Sequence, residues 1–402
     1  MSTAIPAPLS LPPAKRSNLR SWHAALYALT VEHRVEPLRM SSEVDVLRKS
    51  PVRKRRRPTQ ADIARAANVS TATVSRVLNV SPLVRPDVRS RVERAIRKLG
   101  YFPHGAARAL ASNRSFTVGA IIPTLSNAIF AAGVHAFEAR LAQADYTILL
   151  AVSNYSAEAE AIQVQRLLER GVDALMLVGN DHTAPTTLQL RRAGKAYVNT
   201  WTFDAASRHP NVGFSNRKAI AQVADHLVSL GHRDIGMLAG ITAGNDRALD
   251  RVEGLREALA MHGLQLAPRW FAEVPYSIGA ARQAFGQMAE RGALPTALVC
   301  GNDVIALGAL FEALERGIAV PRDLSITGFD DLALVEHIRP ALTTVHLAPE
   351  EMGTAAADAL LTALESGRPV QSRELEARLL VRATTAPPSS SPSTSSRNGL
   401  ST

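Results

Sequence analysis

The sequence predicts a multidomain protein, with a small all-α module ahead of an α/β core of two doubly wound parallel-sheet subdomains. Three observations carry this prediction. Positive charge is concentrated in one short stretch, two capped helical patterns lie within it, and the remaining length alternates apolar runs with amphipathic segments. The chain has 402 residues, 46% hydrophobic and 20% charged. That is ordinary for a globular protein and enough for two or three domains at about 100–200 residues each. The net charge is +10, yet Arg53 to Arg114 holds 15 Lys/Arg against Asp62, Asp87 and Glu93, a local +12 that leaves −2 elsewhere. A basic module on a near-neutral body points to a polyanionic partner, most simply nucleic acid. The lone cysteine, Cys300, has no internal disulfide partner and reads as a small buried hydrophobe. No apolar run reaches the roughly 18 residues of a membrane span, so no membrane partner is expected.

Residues 1–50 show no sustained periodicity, with four prolines from Pro6 to Pro13, and 1–57 is expected to be an N-terminal extension. The mildly apolar segment Trp22–Val31 lacks the continuous centre of a signal peptide, so a disordered extension is expected there, with Met40 as an alternative start. The run Arg53 to Arg57 would add sequence-independent phosphate attraction. At the other end, 384–402 is rich in Ser, Pro and Thr and is expected to be a disordered tail.

Residues 59–79 read TQADIARAANVSTATVSRVLN. Thr59 can cap a helix, with Asp62 at the third helical position completing a capping box. Ile63, Ala66 and Ala67 would form its inner face, and Asn68 suits the left-handed turn that follows. Ser70 then caps a second helix with Val74, Val77 and Leu78 inward. Two short helices joined by a tight turn make a helix-turn-helix, and Thr71, Ala72, Ser75 and Arg76 face outward, open to base edges and phosphates. A third helix is expected from Pro86 to Leu99, stopped by Gly100, with Val88, Val92, Ile96 and Leu99 inward.

From Phe116 to about Leu380, apolar runs occur at Val118–Pro123, Thr147–Val152, Ala174–Val178, Ala196–Val198, Ile235–Ala239, Ala297–Cys300 and Leu324–Gly328. Amphipathic stretches fall at Glu158–Arg170, Ala219–Leu230, Arg247–Met261, Ile278–Glu290 and Ile305–Arg316, and Gly171, Gly231, Gly263 and Gly317 follow helix ends. Strands alternating with helices imply parallel sheets, which bind ligands beyond the carboxyl ends of their strands.

The helix-turn-helix, the following LVRPDVRSRVERAIRKLGYFPHGAARALASNRS and then VGAIIPTLSNAIF resemble the lactose/galactose repressor (LacI/GalR) family over roughly Pro58 to Arg382. The resemblance implies a DNA-binding domain at 58–103, a hinge at 104–115 and a core at 116–383 shaped like periplasmic sugar-binding proteins. It further implies a homodimeric repressor on a palindromic double-stranded operator, switched by a small effector and working in the cytoplasm at the nucleoid. The candidate DNA contacts are Thr59, Ser70, Thr71, Ala72, Thr73, Ser75, Arg76 and Asn79, with Arg108 and Leu110 in a hinge too short to be a stable helix alone. In the family, the leucine matching Leu110 wedges into the minor groove. His104 and Gly105 depart from the commoner asparagine and helix former. The Pro- and Ser-rich C-terminus lacks the apolar heptads of a tetramerising helix.

The same resemblance places Phe130 and Tyr276 as aromatics against the effector, Asn180 and Thr200 as polar contacts, Arg251 as a clamp on effector oxygens and Asp330 as an acceptor. Ser215 stands where an aspartate is frequent. Losing that acceptor while keeping Arg251 and adding Asn245 or Arg247 favours a sugar acid over a neutral hexose. Asp330 and Asp331 are adjacent and should point to opposite faces, which disfavours a shared metal. The rival readings are a secreted sugar-binding protein and an α/β enzyme. The first needs an export signal. The second finds no GxGxxG, GxxxxGK[ST], GxSxG or HExxH, and no ligand-spaced cluster among eleven histidines, so neither catalytic residue, metal nor cofactor is expected.

Overall fold

The computed structural model describes residues 58–78, 83–101 and 114–389. The N-terminal extension with its basic run, Asn79, the hinge with Arg108 and Leu110, and the chain beyond 389 lie outside the described residues. Three helices form the first unit: α1 Gln60–Ala67, α2 Thr71–Leu78 and α3 Pro86–Leu99. The capping box forms as expected. Thr59 N donates to Asp62 Oδ2 at 2.9 Å, and Asp62 N donates back to Thr59 Oγ1 at 3.3 Å. Asn68 takes the left-handed conformation at φ 50°, and Thr73 N donates to Ser70 Oγ at 3.1 Å to start α2. Two inner-face assignments shift. Ala64 is buried where Ala66 was expected, and Ala95 with Val92 replaces Val88, because α1 and α3 pack against each other along a slightly rotated stripe.

The core contains β1 Thr117–Ile122, α4 Ala128–Ala142, β2 Thr147–Val152, α5 Ala157–Glu169, β3 Ala174–Val178, α6 Ala184–Ala193, β4 Ala196–Thr200 and β5 Asn211–Gly213. It continues with α7 Asn216–Ser229, β6 Ile235–Gly240, α8 Asp246–Met261, β7 Phe271–Val274, α9 Ile278–Glu290, β8 Ala297–Cys300, α10 Asp303–Glu315 and β9 Ser325–Thr327. The last elements are β10 Thr344–His346, α11 Pro349–Ser366, β11 Arg373–Glu374 and β12 Arg378–Leu380. Two parallel sheets result, ordered β11-β5-β4-β3-β1-β2 in the first lobe and β7-β6-β8-β9 in the second, with β10 and β12 as a separate antiparallel pair. The chain passes from the first sheet to the second after β5 and returns after β9.

The expected disordered tail begins too early. Thr384 is fully buried, its Oγ1 accepts from Thr343 N at 2.8 Å, and Ala386 O accepts from His232 Nε2 at 2.9 Å. Residues 384–386 therefore complete the second lobe, since their carbonyls supply acceptors to Ser325 and Ile326 of β9 and to His232 just past α7. His226 and His232 serve this same seam, His226 Nε2 lying 3.0 Å from Thr385 Oγ1. Cys300 is fully buried within β8.

The first lobe depends on a close helix crossing. A Cβ on Gly353 of α11 would lie 2.1 Å from the Gly133 carbonyl oxygen of α4, so only glycine lets these helices meet. Gly353→Ala is expected to force the helices apart and destabilise the core by about 1–3 kcal/mol. A thermal midpoint within a degree of the parent protein would contradict this.

Candidate functional site

Between the lobes lies a cleft whose inner chamber measures about 30 Å3 and opens into a mouth of about 400 Å3 that shares Asn127, Tyr155, Asn245 and Tyr276 with it, and the residues around it sit just past strand carboxyl ends. Asn127 follows β1, Tyr155 follows β2 and Trp201 follows β4. From the second lobe come Asn245, Arg247 and Arg251 after β6, Tyr276 after β7, Asn302 after β8 and Asp330 after β9. Phe130, on the first turn of α4, packs on Trp201 with ring centroids 5.0 Å apart. Three of the lining residues hold a left-handed backbone without being glycine: Tyr155 at φ 58°, Trp201 at φ 58° and Asp330 at φ 114°. Such conformations persist only where surroundings impose them, and they aim these side chains inward.

Arg251 is 8% exposed and reaches no carboxylate. Its Nη1 donates to Asn216 Oδ1 at 2.8 Å, its Nη2 to the Tyr276 hydroxyl at 3.2 Å, and its guanidinium lies over Phe329 at 4.7 Å. Its neighbours Asp250 and Glu253 pair instead with Arg217 and Arg256. Asn245 Nδ2 also donates to the Tyr276 hydroxyl, at 3.1 Å. Burial pushes the Asp330 carboxyl up to about 7, while Arg251 and the amides of Asn127 and Asn302 pull it down. Two buried donors facing this region, Arg251 Nε and Trp201 Nε1, have no acceptor. A guanidinium, an indole N–H and an ambivalent carboxyl together suit a ligand rich in oxygen acceptors that also carries hydroxyls.

Five expected effector residues meet here: Phe130, Asn245, Arg251, Tyr276 and Asp330. Two do not. Thr200 is fully buried and its hydroxyl donates to Leu177 O at 2.6 Å, inside the sheet. The next residue, Trp201, turns into the cavity instead, as strand alternation dictates. Asn180 is drawn away by Asn199, whose Nδ2 donates to Asn180 Oδ1 at 2.9 Å. Ser215 caps α7, accepting from Lys218 N at 3.3 Å, and its neighbour Asn216 supplies the acceptor for Arg251. Asn127, Tyr155, Trp201, Phe214 and Asn302 were not singled out from the sequence, although a position just past a strand end was the available signal. Asp331 turns away from Asp330 toward Arg382 and His346, at 2.7 and 2.8 Å.

Asn180 has a different place. Its backbone N–H donates to Asp246 Oδ2 at 2.6 Å across the lobe boundary, and Arg247 Nη1 donates to Val178 O at 3.3 Å and to Asp246 Oδ1 at 2.7 Å. Gly179 between them has φ +88°, and a Cβ there would fall 2.1 Å from Arg247 Nη1. The lobes are thus latched beside the cavity by backbone and one Asp–Arg pair.

On the first unit, Thr71, Ala72 and Arg76 are exposed along α2, with Thr73 and Ser75 half-buried. Ser70 Oγ lies 2.9 Å from Thr73 Oγ1, and Thr59 spends its hydroxyl on Asp62. Both act first as caps. Among the described residues no group of His, Cys, Asp and Glu could hold a metal, and no helix is long and apolar enough to cross a membrane.

Residues 59–104 match the bacterial regulatory proteins of the lacI family, and 224–385 match a periplasmic binding protein-like domain. Catabolite control protein A of Priestia megaterium is 32% identical over 295 residues, covering 73% of this chain and 89% of that protein. The crystal structure of the lac repressor dimer bound to operator and the anti-inducer ONPF has a TM-score of 0.76 at 27% identity, over 82% of this chain and 100% of that one. A complex of the transcriptional regulator CelR with cellobiose gives 0.61 at 27% identity, over 82% and 100%.

Gly179→Ala adds left-handed strain to the first lobe in any arrangement and, in the latched arrangement alone, a clash with Asp246 and Arg247, each on the order of 1–3 kcal/mol. The expected outcome is a more open core, seen as a larger radius of gyration by small-angle X-ray scattering. An unchanged scattering curve would show that the latch does not hold the lobes together.

Proposed function

The chain belongs to the LacI family and is a ligand-responsive DNA-binding transcriptional regulator, and from that premise we propose which residues carry each part of its work. The chain binds a palindromic operator as a homodimer, with Thr71, Ala72, Ser75 and Arg76 of α2 entering the major groove. Small side chains there favour methyl and shape contacts over long bidentate bonds, and Arg76 supplies a charged hydrogen-bond donor. Thr59, Ser70 and Thr73 place the helices. The hinge around Arg108 and Leu110 acts in the minor groove. DNA binding places the protein in the cytoplasm, at the nucleoid. Regulation rather than catalysis is the role proposed for the interlobe cavity.

Its effector is a small polar molecule of the sugar class, and the cavity favours a sugar acid. The observation that carries this is Arg251, a buried guanidinium without a carboxylate partner, next to an indole N–H without an acceptor. A ligand carboxylate satisfies both kinds of donor, while Asn245, Asn302 and Asp330 meet hydroxyls. Closure on the ligand shifts the core between states that hold the two hinges differently, which is how occupancy reaches the DNA.

The titration of Asp330 makes this testable by pH. A carboxylate ligand beside Asp330 binds best when that group is protonated, so affinity should fall as pH rises through about 7. Calorimetry with an aldonate or uronate is expected to give several-fold tighter binding at pH 6 than at pH 8, a dependence that Asp330→Asn flattens and a binding that Arg251→Ala abolishes. A neutral parent sugar that binds more tightly than its acid would overturn the sugar-acid assignment and leave the regulator assignment standing.

A further inference from the structure

Among the described residues, a second cavity lies at the amino ends of the first sheet's strands, away from the interlobe cavity. It measures about 710 Å3, within the usual range for small-molecule sites, and opens where the chain enters β1, β3 and β4. Arg114, Lys195, Arg208 and Arg368 converge on it. The single carboxylate in its wall, Asp173, is used by the backbone, accepting from Ser115 N at 3.0 Å and Phe116 N at 2.8 Å.

Cations are expected wherever helices end, and two helices end here: α6 at Gly194 and α11 at Gly367. Each helix terminus is worth about half a negative charge, so the pair offsets about one cation. Asp173 offsets a second. By this count of the wall alone, about two positive charges remain. Arg114 Nη2 is engaged, donating to Leu364 O at 2.6 Å, but the side chains of Lys195, Arg208 and Arg368 meet no carboxylate or hydrogen-bond acceptor among the described residues. His209, also in the wall, adds no charge at neutral pH, because burial and the nearby His182 hold it below the usual imidazole range. Its Nδ1 is fixed 2.7 Å from the Tyr197 hydroxyl, which leaves the cavity with polar groups beside its cations.

We infer that this basin binds a small phosphate monoester. A phosphomonoester carries roughly −1.5 to −2 at neutral pH, the amount needed to balance the uncompensated charge, and three strongly accepting oxygens for the cations around it. The volume accommodates the ester's organic part as well as its phosphate. The site does not depend on the effector assignment, because it shares no residue with the interlobe cavity. Phosphates of the DNA backbone offer related chemistry, and the test separates the two sources.

Calorimetry on the full chain uses ribose 5-phosphate as the probe, with ribose and inorganic phosphate as controls. Lys195→Glu with Arg208→Glu, both exposed positions, is expected to weaken ribose 5-phosphate binding at least tenfold without lowering the thermal midpoint. Ribose is expected not to bind, and inorganic phosphate to bind more weakly than the ester. Equal ester affinity in the double variant would overturn the proposal. If the ester does not bind and the double variant instead weakens operator binding, the basin serves DNA phosphates and the small-ligand inference falls. Inorganic phosphate binding as tightly as the ester would likewise overturn the assignment of ligand class.

Discussion

Arg251 is buried with no carboxylate in contact, held by the amide of Asn216, the hydroxyl of Tyr276 and the face of Phe329. That charge sits at the junction of the lobes. Asn216 opens α7, the first helix after the chain crosses between lobes, and Tyr276 stands beyond β7. The guanidinium therefore joins the crossover to the second sheet. Removing a charge from water costs several kcal/mol unless partners replace the lost hydration. Here neutral groups supply part of that replacement, and one nitrogen, Nε, has no acceptor. On the proposed reading, a ligand acceptor meeting that nitrogen would act directly on the junction of the lobes.

Asp330 is the counterweight. Its backbone is held at φ 114°, and its carboxyl faces Arg251 from a fully enclosed position. Asp303 lies behind it, also buried, accepting from Thr344 Oγ1 at 2.6 Å and Leu332 N at 2.8 Å. Burial and the neighbouring carboxylates raise the Asp303 carboxyl well above its usual range. Both groups bind protons more tightly folded than unfolded, so their contribution to stability weakens as pH rises through the raised values. The cavity edge is in this sense built at a cost to the empty protein at high pH. An effector that supplies donors to Asp330 or acceptors to Arg251 relieves that cost.

The parts legible in the sequence are those where local chemistry and tertiary demand agree. Thr59 with Asp62, Asn68, Pro86 and Gly100 mark the ends of the first three helices, and Thr147–Val152, Ala174–Val178 and Ala297–Cys300 have the lengths of the strands they form. Helix α4 was not read, because it is apolar nearly all round, lying between a sheet and α11, and so lacks an amphipathic period. Strands β5, β11 and β12 have two or three residues, too few to show alternation. Around the cavity, Arg251, Asp330 and Tyr276 line it as the family resemblance implies, while Thr200 lies one residue short of the lining Trp201. A strand's last inward position and the first residue beyond it face different places, and only the fold shows where the strand stops. Asn180 stays outside the cavity for another reason: Asn199 and Asp246, distant in sequence, claim its side chain and backbone.

On the proposed mechanism, occupancy of the interlobe cavity sets the grip of the α2 helices on DNA. Operator-binding anisotropy of the full chain, titrated with a sugar acid that calorimetry has placed in the cavity, measures this coupling. Saturating ligand is expected to shift operator affinity at least fivefold in the parent protein. The shift should vanish in Arg251→Ala, while Arg76→Ala weakens DNA binding with and without ligand. Identical operator affinity with and without bound ligand in the parent protein would contradict it.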